Sequence, residues 1–130
     1  MESYTMGQAA ELLAVSVDTV RRWADAGRFP THRQGTRRIV EGPALAAFCV
    51  EVAQERADGE DAPYTSARNA FPGIVTAIKL GEVSAQVEVQ AGPHRVVSLL
   101  TREAVEELGL QPGVTVTARV KSTSVHVDRD

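Results

Sequence analysis

Residues 9–40 decide the fold of the amino-terminal part of the chain and read AAELLAVSVDTVRRWADAGRFPTHRQGTRRIV. Just before this stretch, Thr5 and Gln8 have the spacing of a capping box, in which each side chain accepts a hydrogen bond from the other residue's backbone amide. Alanine and leucine then recur on one helical face, which predicts a first helix over 6–13. The next two residues, Ala14-Val15, are predicted to form a tight turn.

A second helix is predicted over 17–26, because Ser16 is a favoured N-cap and Gly27 a favoured terminator. Residues three or four apart on this helix are expected to face the core: Val20, Trp23 and Ala24. The outer face then carries Thr19, Arg21 and Arg22. Two short helices joined by a tight turn, with arginines on the outer face of the second, are typical of DNA recognition.

A β-hairpin and a closing helix are predicted to follow. The hairpin strands are 31–33 and 37–40, with the turn at Gln34-Gly35-Thr36. The closing helix is predicted over 43–56, with Leu45, Phe48 and Val52 on one side. The hairpin would be a wing that carries three arginines, Arg33, Arg37 and Arg38.

Charge is distributed unevenly along the chain, whose net charge is −3. Residues 19–40 contain six arginines and one acid, whereas residues 51–61 contain five acids and one arginine. We interpret this as a basic module over 1–50, then the end of the closing helix and a flexible acidic linker over 51–64. A charge cluster is often only a solvated surface, but its combination with the helical pattern favours DNA binding.

From residue 71 onward, apolar residues recur at every second position, which predicts β-strands. Five strands are expected, at 71–80, 83–91, 94–100, 114–120 and 125–127. A short helix is expected over 101–108, with Gly109 as its stop. This content predicts a small OB-like antiparallel β-barrel over 65–130, so the fold class is α+β with two domains. So small a barrel with long strands also needs its edges covered, which favours oligomerisation.

Residue patterns that mark several other functional classes are missing from the sequence. No apolar run approaches the roughly 20 residues of a membrane span, and no signal peptide precedes Thr5, so we expect a cytoplasmic protein without a membrane partner. Cys49 and the three scattered histidines do not form a metal-binding pattern. No phosphate-binding loop or nucleophile elbow occurs. We therefore predict a binding protein and not an enzyme.

The run from Thr5 to Val40 resembles the MerR/excisionase type of winged helix-turn-helix domain. The shared pattern comprises the paired alanines and leucines, Val-Ser, Thr-Val-Arg-Arg-Trp, Gly-Arg-Phe-Pro and the basic wing. The resemblance implies double-stranded DNA as a partner, read by the second helix and gripped by the wing. The residues implied are Ser16, Thr19, Arg21, Arg22, Arg33, Arg37 and Arg38.

Residues 66–127 resemble the molbindin, or Mop (TOBE), domain, which is also the sensing half of ModE-type molybdate regulators. The motifs are Ser66-Ala67-Arg68-Asn69, Gly81-x-Val-x-Ala, Ser98-x-x-Thr101, Glu106-Glu107-Leu108-Gly109 and Val120-Lys121-Ser122-Thr123. The resemblance implies a molybdate or tungstate ligand bound between subunits, with the Arg and Lys motifs from one chain and the Ser-x-x-Thr segment from its neighbour. It also implies a homo-oligomer, at least a dimer and, as for the family's free-standing domains, up to a hexamer.

The residue types in these motifs suit a tetrahedral oxyanion, which accepts hydrogen bonds and donates none. Arg68 and Lys121 supply positive charge, the hydroxyls supply donors, and the helix that starts at Thr101 adds partial positive charge. We therefore expect the oxyanion-binding residues to be Ser66, Ala67, Arg68, Thr101, Lys121 and Ser122. Ala104 stands where many members of the family have serine, which removes one donor.

Together these features predict a transcriptional regulator that responds to molybdate or tungstate. A ligand held between subunits would change the spacing of the DNA-binding modules. Two alternatives stay open. One is a molybdate storage or buffering protein with a degenerate winged helix, and the other is a DNA-architectural accessory protein that uses the barrel only to oligomerise.

Overall fold

The computed structural model describes residues 2–57 and 65–129. The chain divides into two compact units, Met1–Ala62 and Pro63–Asp130. The acidic linker predicted within 51–64 falls mostly on residues 58–64, which lie outside the described residues. The described parts mix helix and sheet, so the predicted fold class is confirmed.

The amino-terminal unit begins with the predicted helix pair, α1 (Met6–Leu13) and α2 (Val17–Asp25). The capping box is present: the Gln8 amide donates to Thr5 Oγ1 at 3.2 Å, and the Thr5 amide donates to Gln8 Oε1 at 2.9 Å. Ser16 caps α2 as predicted. The turn between the helices depends on Ala14, whose φ of 56° lies in the left-handed region.

The hairpin belongs to a three-stranded sheet. Strands β2 (His32–Gln34) and β3 (Arg37–Glu41) form the wing, and β1 (Ser3–Thr5) pairs antiparallel with the other edge of β3. Strand β1 is not predictable from the sequence pattern, because three residues are too few to show an alternation. This strand joins the start of the chain to the base of the wing.

The closing helix α3 (Gly42–Ala57) packs its predicted side into the core of this unit. Phe48 is fully buried, and its ring centroid lies 5.2 Å from that of Trp23 and 4.8 Å from that of Phe29. Trp23 is partly buried and packs against the core, on the side predicted. This aromatic cluster anchors α2 to the closing helix and so fixes which face of α2 is left outside.

The carboxy-terminal unit is one curled antiparallel sheet that forms a half-barrel. Its strands lie side by side in the order β6-β5-β4-β7: β6 (His94–Thr101), β5 (Ser84–Ala91), β4 (Asn69–Leu80) and β7 (Thr115–Val120). The short helix α4 (Arg102–Glu107) connects β6 to β7. The strict alternation of β5 is confirmed, because every second residue of that strand is buried.

Strand β4 does not alternate along its whole length. A bulge between Val75 and Ala77 interrupts its pairing with β5. Val75 is buried and Ile78, three residues later, also packs against the core, whereas Ile74 is exposed. Bulges insert a residue and so shift which side chains face inward. The even alternation read from the sequence is therefore broken at this point.

The fifth strand predicted over 125–127 is wrong. After β7 the chain makes a 3₁₀ turn (Ser122–Ser124), and residues 125–129 belong to no strand. Val125 and Val127 are 46% and 90% exposed. A strand needs a partner for its backbone groups, and this segment pairs with neither β6 nor β7 within the chain. The alternating pattern of residues 125–127 is compatible with a strand, but the segment has no strand pairing in this structure.

We expect Gly73→Ala to destabilise the carboxy-terminal unit by about 1–3 kcal/mol. A Cβ at this position would clash with the backbone oxygen of Gln90 and would lie 2.9 Å from Val89 Cγ1. Thermal or urea unfolding measures the loss. The control is Gly7→Ala, where the added Cβ meets nothing closer than 3.9 Å and helix propensity favours alanine. Equal stability of Gly73→Ala and the unaltered chain would contradict the close strand approach.

Candidate functional site

The outer face of α2 begins with a small hydrogen-bonded network. The Thr19 amide donates to Ser16 Oγ at 3.1 Å, and the two hydroxyl oxygens lie 2.8 Å apart. Arg22 Nη2 donates to Thr19 Oγ1 at 3.3 Å. Ser16, Thr19 and Arg22 therefore form one polar edge at the start of the helix. The two hydroxyls and the guanidinium can donate to a phosphate or to base edges.

Arg21 lies next to this edge and is exposed. Its Nη1 lies 3.9 Å from Asp18 Oδ1, with 62% of the arginine side chain accessible to solvent. A contact of this length between two exposed groups holds the side chain weakly. Arg21 is therefore free to reorient toward a ligand.

The wing presents Arg33 and Arg37 to solvent. They lie on neighbouring strands, since Gln34 pairs with Arg37 and Arg33 pairs with Arg38. The tip of the wing is Gly35, whose φ of 65° is a conformation that glycine adopts without strain. Arg33, Arg37, Arg38 and Arg21 line a common groove of about 650 Å³ that also includes the start of α1. Four of the predicted DNA-binding arginines are thus brought together.

Arg38 and Arg28 also form ion pairs with acids elsewhere in the amino-terminal unit. Arg38 Nη1 donates to Asp25 Oδ1 at 2.6 Å, and its Nε donates to Thr31 Oγ1 at 3.0 Å. Arg28 pairs with Glu55 and lies over the rings of Trp23 and Phe48. Arg38 differs from the other wing arginines in its bond to Asp25, and the sequence pattern could not predict this difference.

In the carboxy-terminal unit, the register of β4 and β7 brings one group of predicted oxyanion residues together. Asn69 pairs with Val120, and its side-chain Nδ2 donates to the Val120 carbonyl at 3.0 Å. The segment before β4 therefore lies beside the segment after β7. These segments carry Ser66, Ala67 and Arg68 on one side and Lys121 and Ser122 on the other, and we call these five residues the basic cluster.

The basic cluster is exposed except at Ala67. Arg68 Nη1 donates to the Thr65 carbonyl at 3.3 Å, and among residues 65–129 the structure gives neither Arg68 nor Lys121 an ion pair with an acid. The Ala67 amide donates to Thr65 Oγ1 at 3.1 Å. Thr65, which the sequence analysis did not single out, therefore orders this segment. Because no acid among residues 65–129 pairs with Arg68 or Lys121, these two side chains are suited to bind an anion.

Thr101 lies at the opposite end of the sheet, on the other edge strand. It pairs with Ser84, the first residue of β5. Ser84 lies near the carboxy-terminal end of β4, whereas Asn69 is at the amino-terminal end of that strand. The twelve residues of β4 separate the two ends by roughly 35 Å of strand. Thr101 Oγ1 accepts from the Ala104 amide at 3.1 Å, so the hydroxyl hydrogen stays available to donate. The predicted oxyanion residues thus form two separate groups within one chain.

Glu88 and Arg95, whose pKa values are shifted, lie outside both groups of predicted oxyanion residues. The hydrogen bond from Arg95 lowers the pKa of Glu88, and the same bond raises the pKa of Arg95. Glu88 and Arg95 are on β5 and β6, within the ladder between these strands. They belong to the sheet and not to the basic cluster.

Within residues 2–57 and 65–129, no group of three or more His, Cys, Asp or Glu side chains is arranged to hold a metal ion. None of the helices described is long and apolar enough to cross a membrane.

Comparisons with known proteins match each unit separately. Residues 65–127 match the family described as TOBE domain, and residues 3–48 match the family described as helix-turn-helix domain. "Molybdenum-pterin-binding protein 2" of Clostridium pasteurianum is 43% identical over 63 residues, which cover 48% of this chain and 93% of that protein. These matches assign the two units to known domain types.

Two further comparisons extend this result. "Molybdenum transport protein ModE" of Herbaspirillum seropedicae is 36% identical over 118 residues, which cover 90% of this chain but only 39% of that protein. The solved structure of a molybdate-binding protein from Sporomusa ovata has 33% identity and a TM-score of 0.50, and it covers 52% of this chain and 100% of that one. The chain therefore belongs to the family of TOBE-domain, or molybdenum-pterin-binding, proteins, and it joins that domain to an amino-terminal helix-turn-helix domain.

Proposed function

We propose that this chain is a cytoplasmic transcriptional regulator that responds to molybdate. Its amino-terminal unit binds double-stranded DNA, and its carboxy-terminal unit binds molybdate or tungstate. The similarity to the relative named molybdenum transport protein ModE supports this, because it extends over 90% of the chain and so over both units. The names of the other relatives describe binding proteins, which favours a binding role for this chain over catalysis.

The proposed DNA interface combines α2 and the wing. Ser16, Thr19, Arg21 and Arg22 would enter the major groove, since they occupy the side of α2 that is turned away from the aromatic core. Arg33 and Arg37 would contact the backbone beside that groove or the minor groove. The support for this interface is the groove that Arg33 and Arg37 line together with Arg21.

The proposed oxyanion site is divided between two copies of the chain. The observation that carries this is the sheet register, which puts the basic cluster at one end of β4 and Thr101 at the other. A tetrahedral anion spans only a few ångströms and cannot contact both ends. A second copy that brings its Thr101 end against the basic cluster completes the donor set.

Unpaired sheet edges support this assembly. Strands β6 and β7 are the edges of the sheet, and each pairs with one strand only among the described residues. Between them opens an apolar groove lined by Val87, Val96, Leu100 and Val116. Exposed edges and apolar surface of this kind are covered in stable proteins. We propose that another copy covers them in a homo-oligomer, a dimer at least and, by the family resemblance, up to a hexamer.

Ligand binding at a shared site has a regulatory consequence. An anion that contacts two copies favours the assembly geometry in which those copies are correctly aligned. The DNA-binding units are attached to the copies, so their spacing changes with the ligand. DNA half-sites one helical turn apart are the expected target of a dimer.

We expect molybdate to raise the melting temperature of the chain, by an amount that depends on the basic cluster. A ligand at hundredfold excess over its Kd stabilises the native state by about 2.7 kcal/mol. Arg68→Ala and Lys121→Ala should remove most of this shift, because each charged hydrogen bond contributes about 1.5–3 kcal/mol. Thermal melts with molybdate, tungstate or sulfate at equal ionic strength measure it.

The matched control for this melt is Arg95→Gln, which removes a positive charge from the same unit outside both groups. It should keep the molybdate shift. An equal shift with sulfate, or an unchanged shift in Arg68→Ala, would count against the oxyanion site. If no anion shifts the melting temperature, the favoured alternative is that the carboxy-terminal unit serves only for oligomerisation.

Mixing two inactive variants tests whether the site is shared between copies. Arg68→Ala and Thr101→Ala should each bind molybdate poorly alone. After the two are unfolded together and refolded, random assembly should restore about one quarter of the sites, which combine the intact Arg68 of one chain with the intact Thr101 of another. Isothermal titration measures the fraction. A site formed within one chain would give no recovery.

The DNA interface is tested by the salt dependence of binding. We expect Arg22→Ala and Arg37→Ala to weaken binding to a duplex selected from a random pool by the unaltered chain. If each contacts one phosphate, the slope of log K against log salt should fall by about 0.9. The control is Arg119→Ala, an equal charge change in the other unit, which should keep the slope. A storage protein would select no duplex.

A further inference from the structure

The six arginines between residues 19 and 40 differ in what they contact. Arg21, Arg22, Arg33 and Arg37 are exposed, and among residues 2–57 the structure gives Arg33 and Arg37 no ion pair. Arg38 bonds Asp25 and Thr31 at once, and only 28% of its side chain is accessible, against 62% for Arg21. Arg38 nevertheless lines the same groove as Arg21, Arg33 and Arg37.

The contacts of Arg38 connect the wing to the recognition helix. Asp25 is the last residue of α2, Thr31 lies in the segment that leads into β2, and Arg38 is on β3. One guanidinium therefore bonds the end of the helix at 2.6 Å and the entry to the wing at 3.0 Å. Two divergent bonds from one planar group restrain direction as well as distance.

The wing needs such a restraint. All three residues of β2 are exposed, and a two-stranded ribbon beyond its paired base has little to hold it in one orientation. The buried contacts of the wing come from Ile39 and Val40, which lie at the base of β3. A contact that ties β3 to the end of α2 therefore sets the direction in which Arg33 and Arg37 project.

We propose that Arg38 is a positioning residue and that Asp25 is its partner: together they hold the wing against α2, so that Arg33, Arg37 and Arg21 converge on one DNA backbone. This rests on the proposed function, in which the amino-terminal unit binds DNA. Asp25 and Arg38 both line the same groove as those three arginines. An unpaired carboxylate there would repel phosphates, whereas the carboxylate paired with Arg38 is neutralised.

The effect of Asp25→Asn on DNA binding separates positioning from direct contact. If Arg38 were a phosphate ligand, Asp25 would compete with DNA for it, and its loss would strengthen binding. If Arg38 positions the wing, the same change weakens binding although it removes a negative charge. The matched control is Asp18→Asn, which removes the other acid of α2 without touching the wing.

The experiment compares the full chain with Asp25→Asn, Arg38→Gln, the double variant and Asp18→Asn. Fluorescence anisotropy is measured on the duplex selected by the unaltered chain. We expect Asp25→Asn and Arg38→Gln each to weaken binding about tenfold, and the double variant to be no weaker than either, as for residues that act through one contact. The salt slope should stay unchanged in both single variants. Asp18→Asn should not weaken binding.

Stronger binding by Asp25→Asn, or a slope that falls by about 0.9 in Arg38→Gln, would overturn the proposal and make Arg38 a phosphate ligand. A second measurement is independent of DNA. Hydrogen exchange of the β2 and β3 amides should be faster in Asp25→Asn than in Asp18→Asn, and equal rates would also overturn it. Failure of the unaltered chain to select any duplex would reject the proposed function, and the exchange rates would still decide whether this contact holds the wing.

Discussion

The antiparallel pairing of β4 with β5 on one side and β7 on the other organises the carboxy-terminal unit. Asn69 opposite Val120 places Arg68 beside Lys121, and Leu80 opposite Ala85 places Thr101 at the far end. The close approach of the two backbones at Gly73 and the bulge at Val75 hold this register. A shift of one residue would exchange the buried and exposed faces of a strand, which makes the register costly to change.

The same pairing leaves the half-barrel incomplete within one chain. The strand order ends at β6 and β7, and the segment after β7 pairs with no strand among the residues that the structure describes. Open edges, an apolar groove and divided ligand groups are three separate features, and a second copy would satisfy all of them. The proposed oxyanion site therefore depends on the proposed assembly, because a second copy is needed to complete its set of donors.

In the amino-terminal unit, positive charge serves two physical roles. Arg28 and Arg38 bond acids on other elements and pack against neighbours, and they therefore contribute to the shape of the unit. Arg21, Arg22, Arg33 and Arg37 stay solvated, so their charge is available to a polyanion. The aromatic cluster around Phe48 fixes the face of α2 that is buried and so leaves Arg21 and Arg22 exposed.

The sequence by itself determined the local structure and the chemical character of the two units. The capping box at Thr5, the cap at Ser16, the wing turn at Gly35 and the alternation of β5 were all predictable, because each depends on residues close together in the chain. The separate motifs also identified both families. Only the tertiary structure decided that β1 completes the wing sheet, that a bulge interrupts β4, and that residues 125–127 form no strand. It alone decided that Arg38 faces Asp25 and that Thr101 lies far from Arg68, because pairing register and side-chain partners depend on residues distant in sequence.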